Sequence, residues 1–161
     1  MRNLVTNVVI AGLGGQGVIK ASDILADAAF RAGLDVKKAE VHGMSQRGGS
    51  VNSDVRFGPE VFSPMIAFGE ADFLVVLTPD QVEVNRGCLR PDGVLIEPAL
   101  IDSQLLPHPR TLNVALIGRL SRELDLPQYC WDEALEANLR PDQLENNRQA
   151  FALGRNDAAP A

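Results

Sequence analysis

The sequence predicts an α/β fold on three observations. An apolar stretch of strand character at 7–11 breaks into a glycine-rich turn, and a helical pattern of apolar residues begins directly behind it. Continuous apolar stretches recur at 73–77 and 94–96, as expected of strands that are covered on both faces. The last third of the chain repeats apolar residues at helical spacing. These patterns favour a three-layer, Rossmann-like fold with a mainly parallel sheet, an inserted β-hairpin and a helical C-terminal third.

The composition fits one soluble domain. The 161 residues are enough to bury a substantial core, and 45% of them are hydrophobic. We assign residues 1–154 to a single domain and expect the short, polar stretch 155–161 to be a disordered tail. The formal charge is −6, with 21 acidic against 15 basic residues, and no cluster of Lys or Arg interrupts this balance. The chain therefore lacks the electrostatic footprint of a nucleic-acid or membrane partner.

The sequence also indicates a cytoplasmic protein. Its N-terminus has no signal-peptide pattern, and no apolar stretch approaches the length of a membrane span. The two cysteines, Cys88 and Cys130, match no metal-binding or redox spacing, and we interpret them as buried thiols. Because an iron–sulfur cluster takes about four thiolates, this chain cannot hold one by itself.

The glycine-rich turn leads into a predicted helix over 16–32, which Gly33 ends as a C-cap. The spacing of its glycines is that of a dinucleotide-binding turn, where glycine permits a tight reversal and a close approach to phosphate oxygens. Two interpretations stay open: the turn binds a phosphate, or it is a backbone turn that α/β folds reuse without any nucleotide. The residues concerned are Gly12, Gly14, Gly15, Gln16 and Gly17.

Residues 35–41 predict a second strand, which completes a right-handed β-turn-α-β unit with two parallel strands. Glu40 lies 23 residues after Gly17, near the end of that strand, where a dinucleotide fold places its ribose-binding acid. The alternative is a solvated carboxylate at the edge of the sheet.

A polar, glycine-dense loop without periodicity follows at 42–50. Strict alternation of apolar and polar residues over 51–57 then predicts a strand, which a turn at 58–60 joins to a shorter strand at 61–62. We interpret the two strands as a β-hairpin inserted where a second crossover helix would be expected.

The loop at 42–50 is a candidate binding surface, because loops beside rigid elements often carry binding groups. His42 can donate, accept or carry a proton near neutrality, and Arg47 offers a planar fork for a carboxylate or phosphate. The alternative is an ordinary surface loop whose Arg47 pairs with an acid. The candidate residues are His42, Gln46, Arg47, Gly48, Gly49 and Ser50.

The remaining chain predicts a short helix at 80–87 and an irregular stretch at 97–110, where His108 lies exposed between two prolines. Three helices follow. They contain residues 112–124, residues 131–139 and the stretch from Pro141, with Gly154 beyond the last helix.

Two motifs carry a family resemblance. The turn at 12–18 and the run Glu-Val-His-Gly-Met-Ser-Gln-Arg-Gly-Gly-Ser-Val at 40–51 resemble the gamma-type subunit or domain of the 2-oxoacid:ferredoxin oxidoreductases. The branch they resemble in particular is the beta subunit of indolepyruvate oxidoreductase. Further agreement lies at 69–72, 89–93, 113 and 145–151, so that the resemblance covers 7–154.

The resemblance implies a subunit of an enzyme that oxidatively decarboxylates a 2-oxoacid, of arylpyruvate type, to an acyl-CoA. Thiamine diphosphate, Mg²⁺ and [4Fe-4S] clusters are then expected on a larger partner subunit, with CoA as co-substrate and ferredoxin or a similar protein as electron acceptor. This chain has neither a cluster-binding set of cysteines nor a thiamine-diphosphate motif. We therefore assign it no catalytic residue and no metal, expect it to be inactive alone, and expect its loop at 42–50 to face the partner's active site.

Two alternatives come from other classes of protein. One is a free-standing NAD-binding protein that uses the glycine turn and Glu40, and the other is a non-catalytic assembly or regulatory subunit. The stretch between Ile96 and Asn113 is also shorter than the family leads us to expect, by about one strand–helix unit.

Overall fold

The computed structural model describes residues 4–42 and 49–156, which form one five-stranded sheet with helices on both faces. The strands are β1 (Thr6–Leu13), β2 (Asp35–His42), β3 (Ser50–Gly58), β4 (Ala71–Val76) and β5 (Leu89–Ile96). The helices are α1 (Val18–Arg31), α2 (Val82–Asn85), α3 (Leu112–Ser121), α4 (Gln128–Asn138) and α5 (Pro141–Asn156). The predicted α/β class and the helical C-terminal third are confirmed.

The sheet is mixed rather than mainly parallel. Its strand order is β2-β3-β1-β4-β5, in which β1, β4 and β5 are parallel and β3 is antiparallel to both of its neighbours. β1 and β2 run in the same direction, as predicted, but β3 lies between them. Periodicity identified these strands correctly and could not identify their neighbours, because pairing depends on contacts that are distant in sequence.

The predicted hairpin exists, but with a different partner strand. β3 pairs along its length with β2 and with β1, so that β2 and β3 form the hairpin. Residues 61–62 are not a strand. Prolines on both sides of them have no N–H for a ladder, and the Val61 N–H donates instead to the Asp35 carboxylate at 2.8 Å. The alternation in β3 is confirmed, since its apolar face is buried; that face consists of Val51, Ser53, Val55 and Phe57.

The larger core lies between the sheet and the four longer helices, α1, α3, α4 and α5. Ile10 of β1 and Val55 of β3 point into it and are fully buried. Trp131 of α4 packs against Phe151 of α5, with ring centroids 5.4 Å apart. The opposite face has a smaller core and a thinner cover, which consists of α2, its flanking 3₁₀ turns and the segment that contains Ile66.

β5 is an edge strand and not the buried strand that the apolar stretch 94–96 predicted. Only Ile96 is fully buried, whereas Val94 is exposed. The strand has a neighbour on one side only, and it begins at Leu89, before the apolar stretch 94–96. Its pairing with β4 is irregular between Ala71 and Phe73, where the Pro-Asp-Gly sequence at 91–93 is accommodated.

Two glycines set the close crossing of α3 and α5. A Cβ on Gly154 would lie 1.8 Å from the Ala115 carbonyl oxygen, and one on Gly118 would lie 2.1 Å from that of Phe151. Gly154 therefore lies inside α5, not beyond it as predicted. Its position was misjudged because a glycine near a helix end usually marks a cap, whereas here it permits backbone contact between helices.

Candidate functional site

The two candidate sites in the sequence meet at one end of the sheet. Leu13 of β1 is opposite Ser50 of β3, and the Gly14 N–H donates to the Gly49 carbonyl oxygen at 2.8 Å. His42, at the end of β2, is opposite Val51. The glycine turn and both ends of the loop at 42–50 thus form one continuous surface. Gln46, Arg47 and Gly48 lie outside the described residues.

Most of this surface is exposed to solvent, because it lies at the ends of the strands. His42 and Ser50 are exposed, and Gly49 is half-buried. Gly14 and Gly15 are exposed at the tip of the turn, whereas Gly12 is buried below it. The polar groups are therefore presented to solvent on a rigid strand base.

The glycine turn is closed by its own side chain. The Gln16 Oε1 atom accepts the Leu13 N–H at 2.8 Å, and the Gln16 N–H donates to the Leu13 carbonyl at 3.2 Å. A Cβ on Gly12 would lie 2.9 Å from the Val18 Cγ2 atom and 3.0 Å from the Gln16 Oε1 atom, so a larger residue would require these side chains to shift. The backbone N–H groups at 13, 14 and 16 are already bonded. In a dinucleotide-binding turn such groups are left for phosphate oxygens.

Asn113 is a site residue that the sequence did not single out for the turn. Its Nδ2 atom donates to the Gly17 carbonyl at 3.2 Å, and a Cβ on Gly17 would lie 2.3 Å from that nitrogen. Gly17 also has φ +85°, a conformation that favours glycine. An asparagine in the first turn of the helix that follows the irregular stretch is the only sequence signal for this contact.

A cleft of about 740 Å³ opens beside the turn, between α1, α3 and α5. Lys20 and Arg110 line it, and the N-terminus of α1 faces it without a side-chain cap among the described residues. The Lys20 Nζ atom donates to the Asn138 carbonyl at 2.7 Å. The opposite wall is rich in side-chain amides, namely those of Asn113, Gln143, Asn146 and Asn147. The Asp142 carboxylate also lines the cleft, which therefore suits a highly polar ligand.

His108 stands at the rim of this cleft and is exposed, as predicted. Its Nδ1 atom accepts the Arg110 N–H at 3.1 Å. The neutral imidazole therefore carries its proton on Nε2, which points the donor away from the 3₁₀ turn.

Glu40 does not lie where a ribose-binding acid would. Adjacent strands are about 4.8 Å apart, so β3 separates the Glu40 backbone from β1 by about 10 Å. Its carboxylate pairs with Lys38 at 2.8 Å, and Lys38 also bonds Asp23 of α1. Burial lowers the pKa of Lys38, but the hydrogen bonds to Asp23 and Glu40 more than offset this and raise it.

Comparison with known proteins identifies the family of this chain. The family model described as pyruvate ferredoxin/flavodoxin oxidoreductase matches residues 7–107. The chain belongs to this family. It is 33% identical to indolepyruvate oxidoreductase subunit IorB of Thermococcus kodakarensis over 190 aligned positions, which cover 92% of this chain and 93% of that protein. It is 53% identical to IorB of Archaeoglobus fulgidus over 73 positions, or 45% of this chain and 36% of that one.

Solved structures share the fold. The gamma subunit of a keto/oxoacid ferredoxin oxidoreductase from Geobacter sulfurreducens superposes with a TM-score of 0.77 at 22% identity, over 94% of this chain and 96% of that chain. A 2-oxoglutarate:ferredoxin oxidoreductase from Magnetococcus marinus gives 0.81 at 20% identity, over 99% of this chain and 32% of that chain. The same fold thus occurs as a separate subunit and as one part of a longer chain.

This chain is shorter than its Thermococcus relative. The alignment with the Thermococcus IorB spans 190 positions, more than the 161 residues of this chain, so that relative carries residues which this chain lacks. The shortened stretch expected between Ile96 and Asn113 forms three 3₁₀ turns and no strand or α-helix.

The cysteines of this family member are both free thiols. Cys130 is fully buried, and Cys88 is half-buried with its pKa raised by burial and, to a smaller extent, by Asp54. Across the described ranges, no group of three His, Cys, Asp or Glu side chains is placed to hold a metal ion. No described helix is both long and apolar enough to cross a membrane.

Proposed function

We propose that this chain is the non-cofactor subunit of an indolepyruvate-type 2-oxoacid oxidoreductase. The complete enzyme would oxidatively decarboxylate an arylpyruvate to an acyl-CoA and pass the electrons to ferredoxin or a similar acceptor. The observation that carries this proposal is the match to IorB along nearly the whole length of both chains. Thiamine diphosphate, Mg²⁺ and iron–sulfur clusters would supply the carbon and electron chemistry from the larger subunit.

The contribution of this chain would be the polar end of its sheet. The loop at 42–50 connects two strands that pair over eight residues, and its last residues are bonded to the glycine turn through Gly49. The ends of the loop are therefore fixed, and we expect the loop to face the partner's active site. The Arg47 guanidinium would then bind the substrate carboxylate or a cofactor phosphate by a bidentate contact.

The glycine turn would support this loop rather than bind a nucleotide. Its N–H groups at 13, 14 and 16 are already bonded, and Glu40 pairs with Lys38 far from β1. Both facts weigh against the NAD-binding alternative. For CoA, the adjoining cleft is the better candidate, because Lys20, Arg110 and the N-terminus of α1 would favour its phosphates.

Native purification tests the proposal. We expect the untagged chain, purified from its own organism, to elute with a larger subunit that contains thiamine diphosphate and iron. The complex should decarboxylate indolepyruvate faster than pyruvate in the presence of CoA. A chain that elutes alone from fresh extract, while 2-oxoacid oxidoreductase activity elutes elsewhere, would contradict the proposal. A stoichiometric complex without such activity would favour the assembly-subunit alternative.

A further inference from the structure

The thin cover on the sheet face opposite α1 displays apolar side chains to solvent. We call this cover the outer layer; it consists of residues 59–70 and 79–88. Four large apolar residues of the outer layer point outward: Phe62 is 84% exposed, Phe68 83%, Val84 71% and Met65 55%. Single exposed apolar residues are ordinary, but two phenyl rings and two aliphatic groups on one layer are typical of an interaction surface.

The outer layer is held in place by polar anchors beneath it. The Arg56 guanidinium donates to the Ser63 carbonyl at 2.7 Å, and the Asp54 carboxylate accepts the Ile66 N–H at 3.0 Å. Burial raises the pKa of Asp54, so this carboxylate is kept at some cost in stability. The anchors fix the segment over the sheet and leave its rings facing out.

The rings are also positioned individually. Phe68 lies over Gly87, where an added Cβ would be 2.5 Å from the Phe68 Cζ atom. The neighbouring Val61 and Ile66 point inward and are buried or half-buried. Residues 59–70 therefore present one set of apolar side chains to the sheet and another set to solvent.

The charge around the exposed rings indicates which partner covers them. The exposed acidic residues of the outer layer are Glu60, Glu70, Asp80 and Glu83, whereas its one exposed cation, Arg86, is paired with Glu83 at 2.8 Å. In a two-fold contact with a second copy, an acidic margin would face an acidic margin. The occupant should instead be a different protein that offers an apolar groove with a basic margin.

We propose that the outer layer is the surface by which this chain docks onto the larger subunit of its complex, with Phe62 and Phe68 as the anchoring residues. This inference rests on the proposed function. Aromatic side chains at the centre of an interface carry much of its binding energy, and a polar margin excludes water around them. The outer layer would thus hold the two subunits together while the loop at 42–50 faces the active site.

The test compares three forms of the chain with the larger subunit from the same organism as the probe. The double variant Phe62→Ser/Phe68→Ser should raise the Kd of the complex at least a hundredfold. The variant Phe30→Ser is the matched control, because this phenylalanine is 68% exposed on α1, on the opposite face. It should change the Kd less than threefold. Thermal melts of the isolated variants should remain within a few degrees of the unmodified chain.

Charge reversal gives a second, independent readout. Glu60→Lys/Asp80→Lys should lower the association rate about tenfold at low salt, because it removes attraction to a basic margin. The control Asp132→Lys/Glu145→Lys alters the same amount of charge on α4 and α5 and should leave that rate unchanged.

The possible failures are distinguishable. If the unmodified chain does not bind the larger subunit, the proposed function fails first. If it binds and the double phenylalanine variant binds equally well, only the docking surface is wrong. If the chain instead forms a homodimer that the double variant abolishes, a second copy is the occupant and the inference is overturned.

Discussion

The crossing of α3 and α5 offers a sharp prediction about stability. In Gly154→Ala, the new Cβ would lie 1.8 Å from the Ala115 carbonyl oxygen and 2.9 Å from the Arg119 nitrogen. Ordinary contacts between carbon and oxygen begin near about 3.3 Å, so the helices must separate by about 1.5 Å. Both opposing atoms belong to the backbone, and no rotamer change can relieve the contact.

The cost follows from the packing that this separation loosens. A gap of about 1 Å forfeits a quarter to a half of a dispersion contact. Leu116, Leu120 and Phe151 are essentially buried at or beside the crossing, and each contributes about 1.5–3 kcal/mol by burial. We expect a gross loss of about 3–4 kcal/mol, which the better helix propensity of alanine offsets by about 1 kcal/mol. The net destabilisation should be about 2–3 kcal/mol, or a Tm lower by roughly 5–10 °C.

Thermal unfolding followed by circular dichroism measures this effect. Gly118→Ala should behave similarly, since its Cβ would lie 2.1 Å from the Phe151 carbonyl. The matched control is Gly33→Ala, where nothing lies within 4 Å and only the φ of +87° opposes alanine, at about 1 kcal/mol. A Gly154→Ala chain that melts at or above the unmodified temperature would refute the packing argument.

Three further predictions concern the site and its surroundings. Lys38→Met should destabilise the chain by about 1 kcal/mol at pH 7 and by less in alkaline solution. The reason is that the raised pKa of Lys38 gives the folded chain stability that is lost as the pH rises through that pKa. In thermal melts between about pH 7 and about 11.5, the Tm of the variant and that of the unmodified chain should converge. Calorimetric titration with NAD or NADH should show no binding tighter than millimolar, and micromolar binding that Glu40→Ala abolishes would restore the dinucleotide alternative. Arg47→Ala should change the free energy of unfolding by no more than about 0.5 kcal/mol, while the assembled enzyme loses activity or its subunits separate. Arg47→Lys should restore little of this function. Full activity and normal assembly in Arg47→Ala would mean that the loop is an ordinary surface turn.

The elements of the fold were predictable because their signals are local. The apolar alternation of β3 gave its buried face correctly, and Gly33, with φ +87°, ends α1 as the sequence indicated. The place of β3 between β1 and β2 was not predictable in the same way. That place depends on which strands pair, and the alternation of apolar and polar residues in a strand does not indicate which strands lie beside it.

The candidate site could be described from the sequence as a region and not as a set of contacts. The glycine turn and the loop at 42–50 were both identified, and the structure joins them through Gly14 and Gly49. The bond from Gln16 back to Leu13 and the contact of Asn113 with Gly17 depend on side-chain positions. The ion pair between Lys38, which also binds Glu40, and Asp23 likewise requires α1 to lie across β2. These contacts weigh against the NAD-binding alternative, and they become visible only with coordinates.

We propose that this chain is one indispensable part of an oxidoreductase whose cofactors lie on another subunit. The most direct measurement is CoA-dependent oxidation of indolepyruvate, with reduction of a viologen dye, by the chain, the larger subunit and their mixture. We predict turnover by the mixture only, saturating at a fixed subunit ratio, with thiamine diphosphate and iron found in the larger subunit alone. Turnover by the larger subunit that the chain does not increase, or a stoichiometric iron–sulfur spectrum from the purified chain, would contradict this proposal.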